Sequence, residues 1–417
     1  MKQIEKISVC GLGKLGACIA ATFAAAGHDV VGLDIDPEKV AKINAGQAPV
    51  DEPRLQEFVT SGHAHLRATT DAADLVHSDV TFFITPSPSL PDGSFSNEYL
   101  EKAMRSVARA LRASGKKDHL FVCSSTTTPG SCESVLIPAI EEELEGKCGV
   151  DFGFCYNPEF IALGNVVNGL LEPDMVLIGE SHAKYGEALE TLYRSYNRNQ
   201  PTIARMSLVS AELTKISVNS FVTMKISFTN QLRMIADQFP GANIHTILEA
   251  LGSDTRIGKK YLRAGLSYGG PCFPRDNRLL AYVARQKGVV APLAEATDQV
   301  NTMSNEDLQK KVEGMVPKGK GAIAVLGLTY KPDTHITEEA AGLILAQSLQ
   351  KDGYDVLVHD FAANPRNNPA ELEHLTYVED LDELFERTDL ALAVVCCPWP
   401  GYENLRFPES VQVLRGW

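Results

Sequence analysis

The sequence predicts an α/β protein built from two doubly wound parallel-sheet domains joined by a long central helix, and three observations predict it. First, the strand-like runs KISVCGL, HDVVGLDI, SDVTFFIT, HLFVCSS, DFGFCYN and DMVLIGE recur with helix-like or loop text between them. That alternation is what a parallel sheet covered on both faces requires. Second, from about Thr202 the text turns helical, and AELTKISVNSFVTMKISFTNQLRMIADQF carries apolar residues at helical spacing with no Gly or Pro inside, so it reads as one long helix. Third, strand runs return in GAIAVLGL, YDVLVHD and LALAVVCC, giving a second, smaller α/β unit. The expected division is 1–200, 201–305 and 306–417. A helix apolar over more than one face needs more than one partner, so the central helix is expected to form a homodimer.

Composition sets bounds. A chain of 417 residues exceeds one ordinary core. A net charge of −14 argues against nucleic acid or an anionic membrane as partner, so any phosphate site must be built locally. No apolar run approaches the roughly 20 residues that span a bilayer. The opening MKQIEKISVCGLG reads as a strand rather than a signal peptide, and a cytoplasmic setting is expected. The nine cysteines show no CxxC pair and no metal-finger spacing, so no metal is expected and most thiols read as reduced, buried small hydrophobes.

The first chemical signal is Gly11-x-Gly13-x-x-Gly16, spanning Leu12, Lys14 and Leu15, directly after the strand KISVC and opening the helix KLGACIAATFAAAG. Gly11 allows a tight turn, Gly13 lets backbone approach a pyrophosphate, and Gly16 lets helix and strand pack closely; the helix N-terminus supplies N–H donors. Asp34 ends the next strand, where a carboxylate accepts from ribose hydroxyls and repels a 2′-phosphate, favouring NAD over NADP. The α/β units are therefore Rossmann-like. Lys14 has two readings, a phosphate contact or a solvated lysine. Ser125 and Thr126, ending HLFVCSS, lie on the ligand side of a parallel sheet or are ordinary turn residues.

The second signal is Lys215 and Asn219, four apart and so on one helix face, either converging on a small polar site or forming a solvated face. The third is YLRAGLSYGGPCFPRD, whose glycines and prolines place Cys272 in a shaped loop instead of a strand core. Only the thiolate is nucleophilic, and a nearby cation such as Lys215 or Arg275 favours it. Asp276, four residues on, reads as a base for water or a counter-charge for a lysine.

At these residues the chain resembles the UDP-glucose/GDP-mannose dehydrogenase family, through INAGQAPVDEPRL, ITPSPSLPDGSF, SSTTTPGS, NPEFIALG, AELTKISVNSF, DTRIGKKYLRAGLSYGGPCFPRD and GLTYKPDT. The resemblance implies an N-terminal NAD domain, a C-terminal nucleotide-sugar domain and a dimer around the central helix. It implies Cys272 as nucleophile with Lys215, Asn219 and Asp276 as its neighbours, and Thr126 and Glu159 positioning water and protons. Thr85 and Pro86 join the cofactor residues. Arg256 matches a substrate arginine supplied across the dimer; Arg263, Leu266, Ser267, Tyr268 and Gly269 would line the substrate, and Lys331 would contact it. The implied reaction is a four-electron oxidation of a sugar CH2OH, UDP-glucose first among substrates, with UDP-N-acetylhexosamine or GDP-mannose behind it. The chain departs from the family pattern at Leu163, where an acid is usual, and at Glu338, where an arginine is usual; loss of one mutual ion pair would account for both. Arg415 matches a C-terminal substrate contact. A two-electron β-hydroxyacid-type dehydrogenase and an inactive NAD- or sugar-nucleotide-binding regulator are the competing readings.

Overall fold

A computed structural model describes residues 4–161 and 163–416. The chain divides into two compact units, Met1–Lys215 and Ile216–Trp417.

The first unit is built on eight strands: β1 (Lys6–Cys10), β2 (Asp29–Leu33), β3 (Leu66–Thr69), β4 (Val80–Phe83), β5 (His119–Cys123), β6 (Phe152–Tyr156), β7 (Met175–Glu180) and β8 (Thr202–Ser207). They run in the order β3-β2-β1-β4-β5-β6-β7-β8. Side chains alternate between two buried clusters: Ile7, Val9, Phe82 and Val122 enter one, Cys10, Phe83, Phe121 and Cys123 the other. Both faces are therefore covered, which is why these strands read as nearly continuous apolar runs.

Two expectations are corrected. The run DMVLIGE does not join the sheet in parallel: β7 pairs antiparallel with β6 through Cys155–Glu180 and Tyr156–Gly179. The helix between them, Val166–Leu171, has six residues and covers only about 9 Å, too little to carry the chain back along a strand. The text from Thr202 is not helical at its start. Thr202–Ser207 forms β8, parallel to β7, and the long helix begins at Leu208 and ends at Ala236. Edge strands such as β3 and β8 carry polar residues at half-exposed positions, so they lack the apolar signature of the central ones.

In the second unit, helices Ile244–Ser253, Phe273–Gln286 and Pro292–Met315 precede a five-stranded parallel sheet. Its strands are β9 (Ala322–Leu326), β10 (Val356–His359), β11 (Thr376–Tyr377), β12 (Leu390–Val395) and β13 (Gln412–Arg415), ordered β11-β10-β9-β12-β13. That order repeats β3-β2-β1-β4-β5, and the turn after the first strand repeats as well. Gly327, at φ +93°, follows β9 as Gly11, at φ +98°, follows β1. Among the described residues no helix is long and apolar enough to cross a membrane.

Candidate active site

The glycine-rich turn after β1 is shaped by close approach. A Cβ on Gly11 would lie 2.2 Å from the Ile84 carbonyl oxygen, and one on Gly16 would lie 1.8 Å from that of Gly11. A Cβ on Gly13 would meet nothing within 4 Å, leaving open space at the cap of helix Lys14–Ala25. The turn thus exposes backbone where a pyrophosphate would bind. Asp34 is buried; its Oδ2 accepts from Leu12 N at 2.6 Å and its Oδ1 from Asp36 N at 2.9 Å. Lys39 Nζ lies 3.7 Å from Oδ2. A carboxylate has about four acceptor sites, so lone pairs remain for ribose hydroxyls.

Sequence reasoning passed over Ile35. It is 98% exposed immediately after that carboxylate, an apolar side chain that a flat base can cover; its only signal is an aliphatic residue just past the strand end. Thr85 Oγ1 and Ser124 Oγ are buried without a hydrogen-bond partner among the described residues. Ser125 Oγ donates to the Thr85 carbonyl at 2.6 Å, so this hydroxyl ties the loops after β4 and β5 together. These features suit a dinucleotide.

Glu159 follows β6. Desolvation raises its carboxyl from the ordinary 4.5 to about 7, opposed by the charge of Lys215 and by a hydrogen bond with Tyr193. The buried Lys215 donates from Nζ to the Glu159 carbonyl oxygen at 2.9 Å and lies 4.8 Å from the Phe160 ring centroid. One turn earlier stands Glu212, also missed from sequence. Its fully buried carboxylate accepts from Thr127 Oγ1 (3.0 Å), Gly130 N (2.7 Å) and Cys132 N (3.0 Å), which anchors the loop carrying Thr126. The signal was a carboxylate on the turn before Lys215.

In the second unit, Cys272 is the one exposed cysteine of the nine. It caps the N-terminus of helix Phe273–Gln286, where the positive end of a helix dipole favours a thiolate. Of the other eight thiols, Cys148 is partly buried and seven are buried. Desolvation raises the Cys10, Cys18, Cys396 and Cys397 thiols to about 12. On the same helix the buried Asp276 accepts from Asn219 Nδ2 at 2.6 Å. Arg275 donates to the Pro271 carbonyl at 3.4 Å.

Arg263 is exposed, whereas the Tyr268 side chain is buried. Leu266, Ser267 and Gly269 are half-buried. A Cβ on Gly269 would lie 2.3 Å from the Glu339 carbonyl oxygen, and Gly270 N donates to the Glu338 carbonyl at 2.8 Å. Glu338 thus meets this loop through its backbone, while Glu339 forms a two-pronged pair with Arg278, at 2.5 and 2.9 Å. Leu163 packs beside the core of the first unit, an apolar contact that an acid at this position would not make. Arg256 is exposed and paired with Asp254 at 2.6 Å. Lys331 Nζ lies 5.8 Å from the Tyr330 ring centroid. Arg415 donates to the Tyr402 carbonyl at 3.3 Å.

Fold and cradle define an NAD-binding α/β protein of the doubly wound class. Models of the UDP-glucose/GDP-mannose dehydrogenase family match in all three parts: the NAD binding domain over residues 5–197, the central domain over 209–303 and the UDP binding domain over 324–416. The UDP-glucose 6-dehydrogenase AglM of Haloferax volcanii is 34% identical over 405 residues, covering 96% of this chain and 93% of that one. A GDP-mannose 6-dehydrogenase of Pseudomonas putida is 32% identical over 360 residues, covering 85% and 80%. The solved structure of a UDP-glucose dehydrogenase from Pyrobaculum islandicum superposes with a TM-score of 0.90 at 32% identity, covering 99% of this chain and 94% of that one. The chain belongs to the UDP-glucose/GDP-mannose dehydrogenase family, and is an NAD-dependent nucleotide-sugar dehydrogenase.

Two outcomes follow from this geometry. Gly13→Ala should change folding stability by no more than about 1 kcal/mol while weakening NAD binding at least tenfold, whereas Gly16→Ala should cost more than about 2 kcal/mol; denaturant melts and NAD titration separate the two. Brief treatment of the native protein with iodoacetamide should add a single alkyl group at Cys272, read by peptide mass spectrometry, and Cys272→Ser should take up none.

Proposed function

We propose that the chain oxidises the C6 CH2OH of a nucleotide sugar, UDP-glucose first, to the carboxylate in two successive two-electron steps, with Cys272 as covalent nucleophile. The observation that carries this reading is the exposure of Cys272 at a helix N-terminus with Asp276 one turn along the same helix.

Gly11, Leu12, Gly13, Lys14, Leu15, Gly16, Asp34, Thr85, Pro86, Ser125 and Thr126 would hold NAD. When bound, NAD accepts one hydride in each oxidation. Cys272 sulfur adds to the aldehyde carbon made in the first step, giving a thiohemiacetal; loss of hydride from that adduct leaves a thioester. Water then attacks the thioester while Asp276 takes its proton, the C–S bond breaks, and carboxylate and thiol are released. Lys215 and Asn219 donate to the oxyanion formed at the reacting carbon. Lys215 spends one donor on the Glu159 carbonyl, which leaves two of its three. Thr126 and Glu159 position water and protons.

Arg263, Leu266, Ser267, Tyr268, Gly269 and Lys331 would receive the nucleotide sugar, with Arg256 supplied by a second copy. Support for a homodimer comes from the long helix, where Leu213, Phe221, Phe228 and Ile235 are exposed at spacings of 8, 7 and 7 residues, a stripe that water would otherwise face. We retain the three-part division 1–200, 201–305 and 306–417 and a cytoplasmic setting as part of the proposal.

A panel of UDP-glucose, UDP-N-acetylhexosamines and GDP-mannose, assayed by NAD reduction, should give two NADH per sugar consumed with one of them. A ratio of one would sink the covalent route, as would unimpaired turnover by Cys272→Ser. Glu159 offers a test by pH. Its carboxyl sits above the ordinary value in the folded chain, so its contribution to stability is present below about 4.5 and lost as pH rises through about 7. The melting temperature of the natural protein, measured relative to Glu159→Gln, should therefore fall between pH 5 and pH 8; a difference that stays flat would contradict the assignment.

A further inference from the structure

Residues 263–270 form no regular helix or strand, yet most of their polar backbone must find partners away from water. Two asparagines outside the segment bond its backbone, and a third bonds a side chain within it. Asn230, fully buried on the long helix, accepts from Gly265 N at 2.9 Å and donates to the Leu266 carbonyl at 2.9 Å. Asn301, buried on helix Pro292–Met315, accepts from Tyr268 N at 2.8 Å and donates to the Tyr268 carbonyl at 2.9 Å. One turn further, Asn305 Oδ1 accepts from Ser267 Oγ at 2.6 Å. A carboxamide donates and accepts in one plane, as a neighbouring strand would. An aspartate of the same shape lacks the donor and would set a carboxylate oxygen against the carbonyl.

We infer that Asn230, Asn301 and Asn305 are positioning residues for the nucleotide sugar: through the backbone of Gly265, Leu266 and Tyr268 and the hydroxyl of Ser267 they hold residues 265–268 in their receptive shape before substrate arrives. The inference rests on the proposal that this segment lines the substrate. Fixing the segment in advance removes the ordering cost from binding, which is where a preformed loop gains affinity. Because Gly269, Gly270 and Pro271 lead directly to Cys272, the same clamps also define the path from the substrate segment to the thiol. None of the three side chains touches the reacting atoms in this reading, so their effect is on sugar binding more than on the chemical step.

The test compares Asn301→Asp, Asn305→Ala and Arg263→Ala, each with the sugar that the panel identifies. Asn301→Asp should raise the KM for the sugar about tenfold or more, and Asn305→Ala about threefold, with kcat within threefold and NAD affinity, titrated by fluorescence, within twofold. Asn305 is only half-buried, so its variant keeps the test decisive if Asn301→Asp fails to fold. A sugar KM within twofold of the natural protein in the folded variants, or an equal loss of NAD affinity, would overturn the inference. Arg263→Ala separates the two layers. If it raises the sugar KM while the asparagine variants do not, only the positioning role falls; if it too leaves the KM unchanged, the assignment of the segment to substrate falls with it.

Discussion

The hydrogen bond from Asn219 Nδ2 to Asp276 Oδ2, 2.6 Å long and buried at both ends, is the contact on which the proposed chemistry depends. A buried carboxylate without a donor is costly, because its charge has left water. Asn219 offsets that cost and in doing so joins the long helix to the helix that Cys272 caps. The helix that carries Cys272 at its N-terminus is thereby tied to the long helix by a polar contact. Apolar packing by itself fixes helix contacts less sharply than a directional bond between buried groups.

The cofactor end depends on a different constraint, the removal of side chains. Gly16 sits where any Cβ would enter the Gly11 carbonyl, and Gly342 repeats this in the second sheet, 2.0 Å from the Gly327 carbonyl. The acidic partner is repeated too. Asp34 receives the backbone of the first turn, and Asp360 accepts from Leu328 N, Thr329 N, Ala362 N and Ala363 N. The second carboxylate is occupied by its own chain to a greater degree than the first. The two sheets thus share an architecture, while Asp34 keeps acceptor capacity that Asp360 has largely used in structure.

Much of this was legible in the residues. The glycine spacing, the acid ending β2, the long helix free of Gly and Pro, and the cysteine among glycines and prolines each have a local physical cause, so text alone reveals them. Other features were not legible. Ser125 read as a ligand contact or a turn, and the structure spends its hydroxyl on the Thr85 carbonyl. Glu212 and the asparagines at 230 and 301 look like ordinary polar helix residues until burial and their partners, between 33 and 85 positions away in sequence, are known.

The sequence by itself determined the class of fold and the dinucleotide turn, because periodicity and glycine spacing are local properties that short segments enforce; the family was legible only as a resemblance carried by several ordered motifs. Tertiary structure alone decided that β7 reverses, that one cysteine of nine is exposed, and that a carboxyl at residue 159 is pushed up to about 7. Those outcomes depend on which distant groups exclude water from a given atom, and no window along the chain contains that information.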